Sequence, residues 1–353
     1  MENIPLSAEI KGVKYTPLLS RKLTTFNIKK LKKALTSETA FILRVNSKVQ
    51  FAVSWWVSAK RTRSYPYARV YDTLGFAGKK VTIIPAFKDE GKKGDRDFLQ
   101  WDTISLMSLI GVYVIIAYYS DAVKSDRYEG KITNQQFNIS HLKYEFDKLV
   151  SWQSDALHWN LEQTDKIGKI SNKALQSYGR ISKRLGIAMH SPDSARRRIE
   201  KIGKNKETFL SHSRDLAEKA QKRESVTVQP KEHLSGSKSI ITIKNYLGGK
   251  YYLTSDEVTV DDENKKIFLL EGKHTRTSSI PSTEDIKDGL LRMILLTNLE
   301  DIKIGSKSYK VKPILKLTVE GGFKLENLNE SQKALLRILK KEANKNGFAL
   351  EVS

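Results

Sequence analysis

The chain has 353 residues, 39% of them hydrophobic, with a formal net charge of +22 and a pI near 9.7. That length and apolar content mark a globular protein of two or three domains, and the charge points to a polyanionic partner, nucleic acid first and an acidic membrane surface second. The absence of cysteine excludes disulfides and thiolate zinc sites.

The opening MENIPLSAEIKG lacks the basic-then-apolar pattern of a signal peptide, so a cytoplasmic location is expected. Residues 1–130 read as an N-terminal α/β domain. KVQFAVSWWVSA and YPYARVYDTL are β-branched and aromatic, with Asp72 ending the second as a strand; KKVTIIPAF is a short strand, and DEGKKGDRD a polar loop. In DFLQWDTISLMSLIG, Phe98, Trp101, Ile104, Leu106 and Leu109 recur near helical spacing, and VYVIIAYY follows as a buried strand. The most apolar stretch, Ile104 to Tyr119, is shorter than the ~20 residues of a membrane helix, so no membrane span is expected.

Residues 131–236 read as a basic helical region ending in a linker. From Lys166 to Arg223 there are 16 Lys or Arg against 5 Asp or Glu, which is half the surplus of the whole chain. Arg196, Arg197, Arg198, Lys201, Lys204 and Lys206 would put several cations on one helix face, suited to a phosphate backbone; the other reading is a solvated helix. ESVTVQPKEHLSGSKS, with Pro230 and Gly236, reads as the linker.

Residues 237–353 form the last domain: strands around IITIKNYL, DEVTV and KIFLLEG, a helix DIKDGLLRMILLTNL, a strand KPILKLTV and a terminal helix SQKALLRILKKEANKN. Pro281 and Ser282 make a helix start, with Ile286, Leu290, Met293, Ile294 and Thr297 on one face.

The chemistry concentrates where KIFLLEG ends. Side chains alternate along a strand, so Leu269, Glu271 and Lys273 share one face. Asp256 begins the preceding strand, and DDENKK can turn the chain so that DEVTV and KIFLLEG pair antiparallel. Two carboxylates converging with an ammonium are expensive to desolvate, and a hard divalent cation such as Mg²⁺ would compensate them. Glu257 competes with Asp256 as ligand, Asp261 and Asp262 read as turn residues, and His274 as an exposed residue after the strand.

Asp256, then Glu271 fifteen residues on, one spacer and Lys273, in a hairpin followed by an amphipathic helix, resembles the PD-(D/E)xK nuclease superfamily, and among its members type II restriction endonucleases. The resemblance spans roughly residues 237 to 320; Ser255 stands where the family name has proline, and Gly272 where an apolar residue is common. It implies a restriction-endonuclease-like core, a mixed sheet flanked by helices. It also implies Asp256 and Glu271 as Mg²⁺ ligands, the Gly272 carbonyl as a third, and Lys273 as the catalytic lysine. The implied partner is double-stranded DNA, cut at a specific site by a homodimer. A structure-specific repair or recombination nuclease and a non-catalytic nucleic-acid binder are the alternatives, the latter with Glu271 and Lys273 as a surface pair.

Two further constellations compete. Lys88, Asp89, Glu90, Asp95 and Asp97, together with Asp72, would make a second or the true metal site, or else a solvated loop; Ala86 stands where the glutamate of ExK would be. AKRTRSYPYARVY interleaves Lys60, Arg61, Arg63 and Arg69 with Tyr65, Tyr67 and Tyr71, the mixture that meets phosphates and stacks on bases, or a strand with a basic outer face. The six histidines show no HxxxH spacing, and GK[ST] and GxSxG motifs are absent.

Overall fold

The structure, a computed structural model, describes residues 4–203, 237–245 and 250–353. The chain divides into two compact units, Leu23–Asp215 and a second made of Met1–Lys22 with Leu216–Ser353. The divisions at 130 and 236 drawn from composition do not coincide with these units. The first strand, β1 (Ile4–Ile10), lies in the sheet of the C-terminal half, where Leu6, Ala8 and Ile10 turn one face into the core.

The 23–215 unit is built from β2 (Thr25–Asn27), α1 (Leu31–Ser37), β3 (Ala40–Arg44), β4 (Gln50–Trp55), α2 (Pro66–Tyr71) and β5 (Lys80–Pro85). A small hairpin, β6 (Phe87–Asp89) with β7 (Arg96–Phe98), leads to α3 (Trp101–Leu109) and β8 (Val112–Ala117). A second hairpin, β9 (Tyr119–Lys124) with β10 (Ile132–Phe137), precedes α4 (Ile139–Ser151), α5 (Ala156–Asp165), α6 (Ile167–Leu185) and α7 (Pro192–Gly203). The main sheet has the order β2-β3-β4-β5-β8.

β8 is an edge strand with an almost fully buried side-chain run, and an open edge of that kind invites pairing with other chains. Helix side chains close it. Asn160 accepts from Val114 N at 2.7 Å and donates to Val112 O at 3.0 Å, Trp159 Nε1 donates to Val114 O at 2.7 Å, and Gln163 accepts from Ile116 N at 3.3 Å. His141 Nε2 lies 2.9 Å from Ile116 O. The polar groups of α4 and α5 thus satisfy backbone that no further strand covers.

YPYARVYDTL is not a strand. Pro66 occupies the first turn of α2, where its missing N–H is not needed, and Ser64 and Tyr65 enter the helix with φ of 59° and 48°. Asp72 therefore ends a helix. The loop DEGKKGDRD is in part hairpin, because Phe87–Asp89 and Arg96–Phe98 pair across it.

The second unit holds an eight-stranded mixed sheet. Its later elements are β11 (Ser237–Asn245), β12 (Lys250–Asp261), β13 (Lys266–Thr275), α8 (Thr283–Leu296), β14 (Glu300–Ile304), β15 (Lys307–Ser308), β16 (Lys310–Val319), α9 (Glu330–Asn346) and β17 (Ala349–Val352). The order is β15-β14-β1-β11-β12-β13-β16-β17. β11, β12 and β13 form an antiparallel meander, whereas β1 with β11, β13 with β16 and β16 with β17 are parallel. Helix α8 packs on β13 and β16, and α9 on β17.

Local sequence accounts for the helix limits. Ser282 accepts from Asp285 N at the start of α8, Asn329 and Gln332 form a capping box on α9, and Gly347 ends α9 with φ of 76°. Among the described residues no helix is long and apolar enough to cross a membrane.

Candidate functional site

The hairpin of β12 and β13 pairs as the alternation requires, from Asp261 opposite Lys266 to Glu257 opposite Leu270. Asp256 lies within β12 and does not begin it; the pleat runs several residues further back than the apolar pattern of DEVTV suggests. Beyond Glu257 side chains continue the ladder: Asp256 Oδ2 accepts from Gly272 N at 2.8 Å, and Ser255 Oγ sits 2.8 Å from Leu270 O. Ser255 is thus a hydrogen-bonding residue, and Gly272 meets Asp256 through its backbone.

Glu271 is 2% exposed, and Lys273 Nζ lies 3.0 Å from its Oε1. Two residues of α8 complete the group: Asp288 Oδ2 accepts from Lys273 Nζ at 2.8 Å, and Arg292 Nη1 is 3.3 Å from Glu271 Oε2 and donates to Thr254 O at 2.8 Å. Charges therefore alternate along the series Asp288, Lys273, Glu271, Arg292. Asp288 and Arg292 escape a reading based on the ExK spacing. Their signal is the helix itself, because Arg292 falls amid Leu290, Leu291, Met293 and Ile294, all buried, and a charge at such a position requires a partner.

The electrostatics follow from burial. Desolvation pushes Glu271 up to about 7, Asp256 and Asp288 add to the rise, and Arg292 and Lys273 oppose it. Burial pulls the Lys273 ammonium down, but Glu271 and Asp288 outweigh it and hold the group above its ordinary value. Glu271 thus feels the charge of Asp256 beside a half-exposed strand face. Two carboxylates and nearby backbone carbonyls are hard oxygen donors and fit Mg²⁺, which keeps much of its shell for water and phosphate. Among the described residues no three His, Asp or Glu side chains gather as a ligand set.

Asp261 and Asp262 are turn residues: Asp261 accepts from Asn264, and Asp262 from Lys265, Lys307 and Tyr309. His274 points to Thr318, 2.9 Å away, and Glu320, 3.2 Å away, with only 6% of its side chain exposed, so it is not the exposed residue its position suggested.

The acidic cluster of the 23–215 unit is locked by the cations expected to meet nucleic acid. Asp97, 2% exposed, takes Ser58 Oγ at 2.6 Å, Lys60 Nζ at 2.7 Å and Arg63 Nε at 3.2 Å. Arg63 also reaches Glu90 at 2.6 Å and pairs with Asp95, while Lys88 Nζ is 2.9 Å from Glu90. Asp89 pairs with His190 instead, at 2.9 Å. Arg69 lies over the Trp55 ring and donates to Trp55 O, and burial lowers it to about 10. Arg61 opposes the rise that burial imposes on Asp102.

On α7, Arg196 and Arg197 are exposed, Arg196 pairing with Asp193 at 2.9 Å, whereas Arg198 turns inward over the Phe98 ring. The three arginines do not share one outer face. Lys201 lies in the last turn, and Lys204 and Lys206 lie outside the described residues.

No known protein family, curated protein or solved structure matches the chain.

Proposed function

We propose that the chain is a Mg²⁺-dependent endonuclease that hydrolyses phosphodiester bonds at a specific site in double-stranded DNA, in the manner of type II restriction enzymes. The observation that carries the reading is the buried Glu271 paired with the partly exposed Lys273 on one face of β13, with Asp256 beside them on β12. β12, β13, α8 and β16 follow one another in the strand, strand, helix, strand sense expected of a PD-(D/E)xK core, with β14 and β15 interposed between α8 and β16. Asp256 and Glu271 would hold the ion, with the Gly272 carbonyl as a further oxygen. When bound, the ion supplies charge neutralisation at the scissile phosphate and a more acidic water.

The chain's own residues supply orientation. Asp288 and Glu271 fix the Lys273 ammonium between them, where it can steady an attacking water or the charge developing on phosphorus. Arg292 holds the second oxygen of Glu271. The exposed Arg196 and Arg197, with the basic run that follows, suit the phosphate backbone. Cutting both strands calls for two such sites, hence a homodimer.

The test is incubation of plasmid DNA with the protein and Mg²⁺, repeated with Glu271→Ala and Lys273→Ala. Discrete fragments abolished by either change support the reading; cutting confined to branched DNA favours a structure-specific nuclease. A second reading has its own observation: both Glu271 oxygens are already engaged by cations of the chain, as in a purely structural charge cluster. A non-catalytic DNA binder would then bind tightly and cut under no divalent metal.

A further inference from the structure

Helix α6 divides its circumference sharply. Ile167, Ile170, Ala174, Tyr178 and Ile181 are buried in the 23–215 unit. The opposite side carries Lys169, Lys173, Arg180 and Lys183, which fall in one stripe at 3.6 residues per turn, with Asn172 and Gln176 among them; all six are exposed. The stripe runs about 21 Å along the helix axis. No Asp or Glu occurs between Asp165 and Asp193 to neutralise it.

These cations are not spent within the protein. Among the described residues Lys169, Lys173 and Lys183 have neither an ion pair nor a hydrogen bond, and Arg180 donates to Ser177 Oγ of its own helix at 2.8 Å. Arg184, beside the stripe, differs: it pairs with Asp121 and donates to Ala122 O. Lys169 with Lys173, and Arg180 with Lys183, stand one turn apart as like charges, an arrangement that costs a helix stability. Gly179 adds a second cost on the exposed side. It lies in the body of α6, where a Cβ would meet nothing within 4 Å, so packing gives no reason for the poorest helix former after proline. What the glycine does allow is close approach of a bulky partner to the helix backbone.

The face also lacks apolar surface: among the described residues none of the exposed large hydrophobics lies on α6. A protein partner would require an apolar centre and a membrane an apolar face to insert, whereas a phosphate backbone requires spaced cations, amide donors and room to approach. We propose that the exposed face of α6 binds the phosphate backbone of double-stranded DNA, with Lys169, Lys173, Arg180 and Lys183 at phosphates and Gly179 at the point of closest approach. This surface rests on the reading of DNA as the partner but not on the cleavage chemistry, and it is separate from Arg196 and Arg197 on α7.

Anisotropy of a fluorescent duplex titrated with the full chain over a salt series tests it. Lys169→Ala, Lys173→Ala and Lys183→Ala together are expected to weaken binding about tenfold or more and to flatten the slope of log affinity against log salt by about 0.9 for each phosphate no longer neutralised. Alanine favours the helix, so the unfolding midpoint is expected not to fall. Gly179→Leu is expected to raise that midpoint while crowding the duplex and weakening binding about tenfold, a combination that a purely structural role for the glycine would not produce. Tight duplex binding with affinity and slope unchanged in the triple variant, or unchanged affinity in Gly179→Leu, overturns the proposal and leaves DNA as the partner. A wild-type chain without salt-sensitive duplex binding overturns both. Vesicles of phosphatidylserine and phosphatidylcholine supply the rival surface: binding lost in the triple variant while duplex affinity stays unchanged would assign the face to a membrane and overturn the proposal.

Discussion

Gly289 lies directly against the stem of Lys273: a Cβ at position 289 would stand 3.1 Å from Lys273 Cε and 2.9 Å from Leu315 Cδ1. The helix gives up intrinsic stability there so that the lysine can pass between α8 and β16. Gly289→Ala gains about 1 kcal/mol of helix propensity and loses a comparable amount to crowding, so urea unfolding is expected to move little. The displaced ammonium is expected to lower DNA cleavage by about tenfold or more. Full activity in the variant would show that the position of Lys273 is immaterial.

The second prediction concerns Glu271 and Arg292, both largely buried. Arg292→Met removes a cation that also donates to Thr254 O and leaves the Glu271 carboxylate less compensated, at an expected cost of about 3 kcal/mol. Glu271→Gln with Arg292→Met should cost less than the two single changes added, and denaturant unfolding of the four proteins measures the coupling. Additive costs would mean that the pair is not energetically linked.

The basic residues separate into two kinds. Arg197 is exposed, so Arg197→Ala should weaken DNA binding and reduce the slope of log affinity against log salt by about 0.9 for each phosphate that the arginine neutralises. Arg63 is committed to Glu90, Asp95 and Asp97, so Arg63→Ala should leave that slope unchanged and lower stability instead. Fluorescence anisotropy over a salt series distinguishes the two; a lowered slope for Arg63→Ala would contradict this division.

His141 supplies a pH dependence. Burial lowers it below its ordinary 6.5, assisted by Lys173 and Lys166 and opposed by the Ile116 carbonyl and Glu145. The unfolded chain therefore takes up the proton first, so the stabilisation is present above the unfolded value and is lost as pH falls from there through the lower folded value. Urea midpoints measured between about pH 5 and pH 8 should fall on the acid side, and fall less in His141→Gln, which keeps a donor for Ile116 O. Identical acid-side slopes would assign the loss to other groups.

What the sequence displays and what it hides divide along physical lines. Glu271 and Lys273 share a face because a strand alternates whatever its neighbours, and Ser282 starts a helix because a cap acts within one turn; both are local effects. The strand reading of YPYARVYDTL fails because aromatic content there reflects packing, as in Tyr67 and Tyr71, while Pro66 dictates a helix start. Asp288 and Arg292 reach the site only through the crossover of α8 over β13, a tertiary event with no fixed spacing from ExK. The placement of β1 is equally non-local: nothing within its seven residues points to its parallel partner, which lies beyond the whole 23–215 unit.

That last pairing sets an order of events during synthesis. Ile4 registers with Ser239, so β1 leaves the ribosome long before β11 exists, and at ~5–20 residues per second it waits roughly ten seconds or more for its parallel neighbour. The intervening 23–215 unit has its own sheet and can complete its core in that interval. The sheet that carries Asp256, Glu271 and Lys273 closes only once the final third of the chain has emerged, so the surroundings of these three residues are the last part of a nascent molecule to be completed.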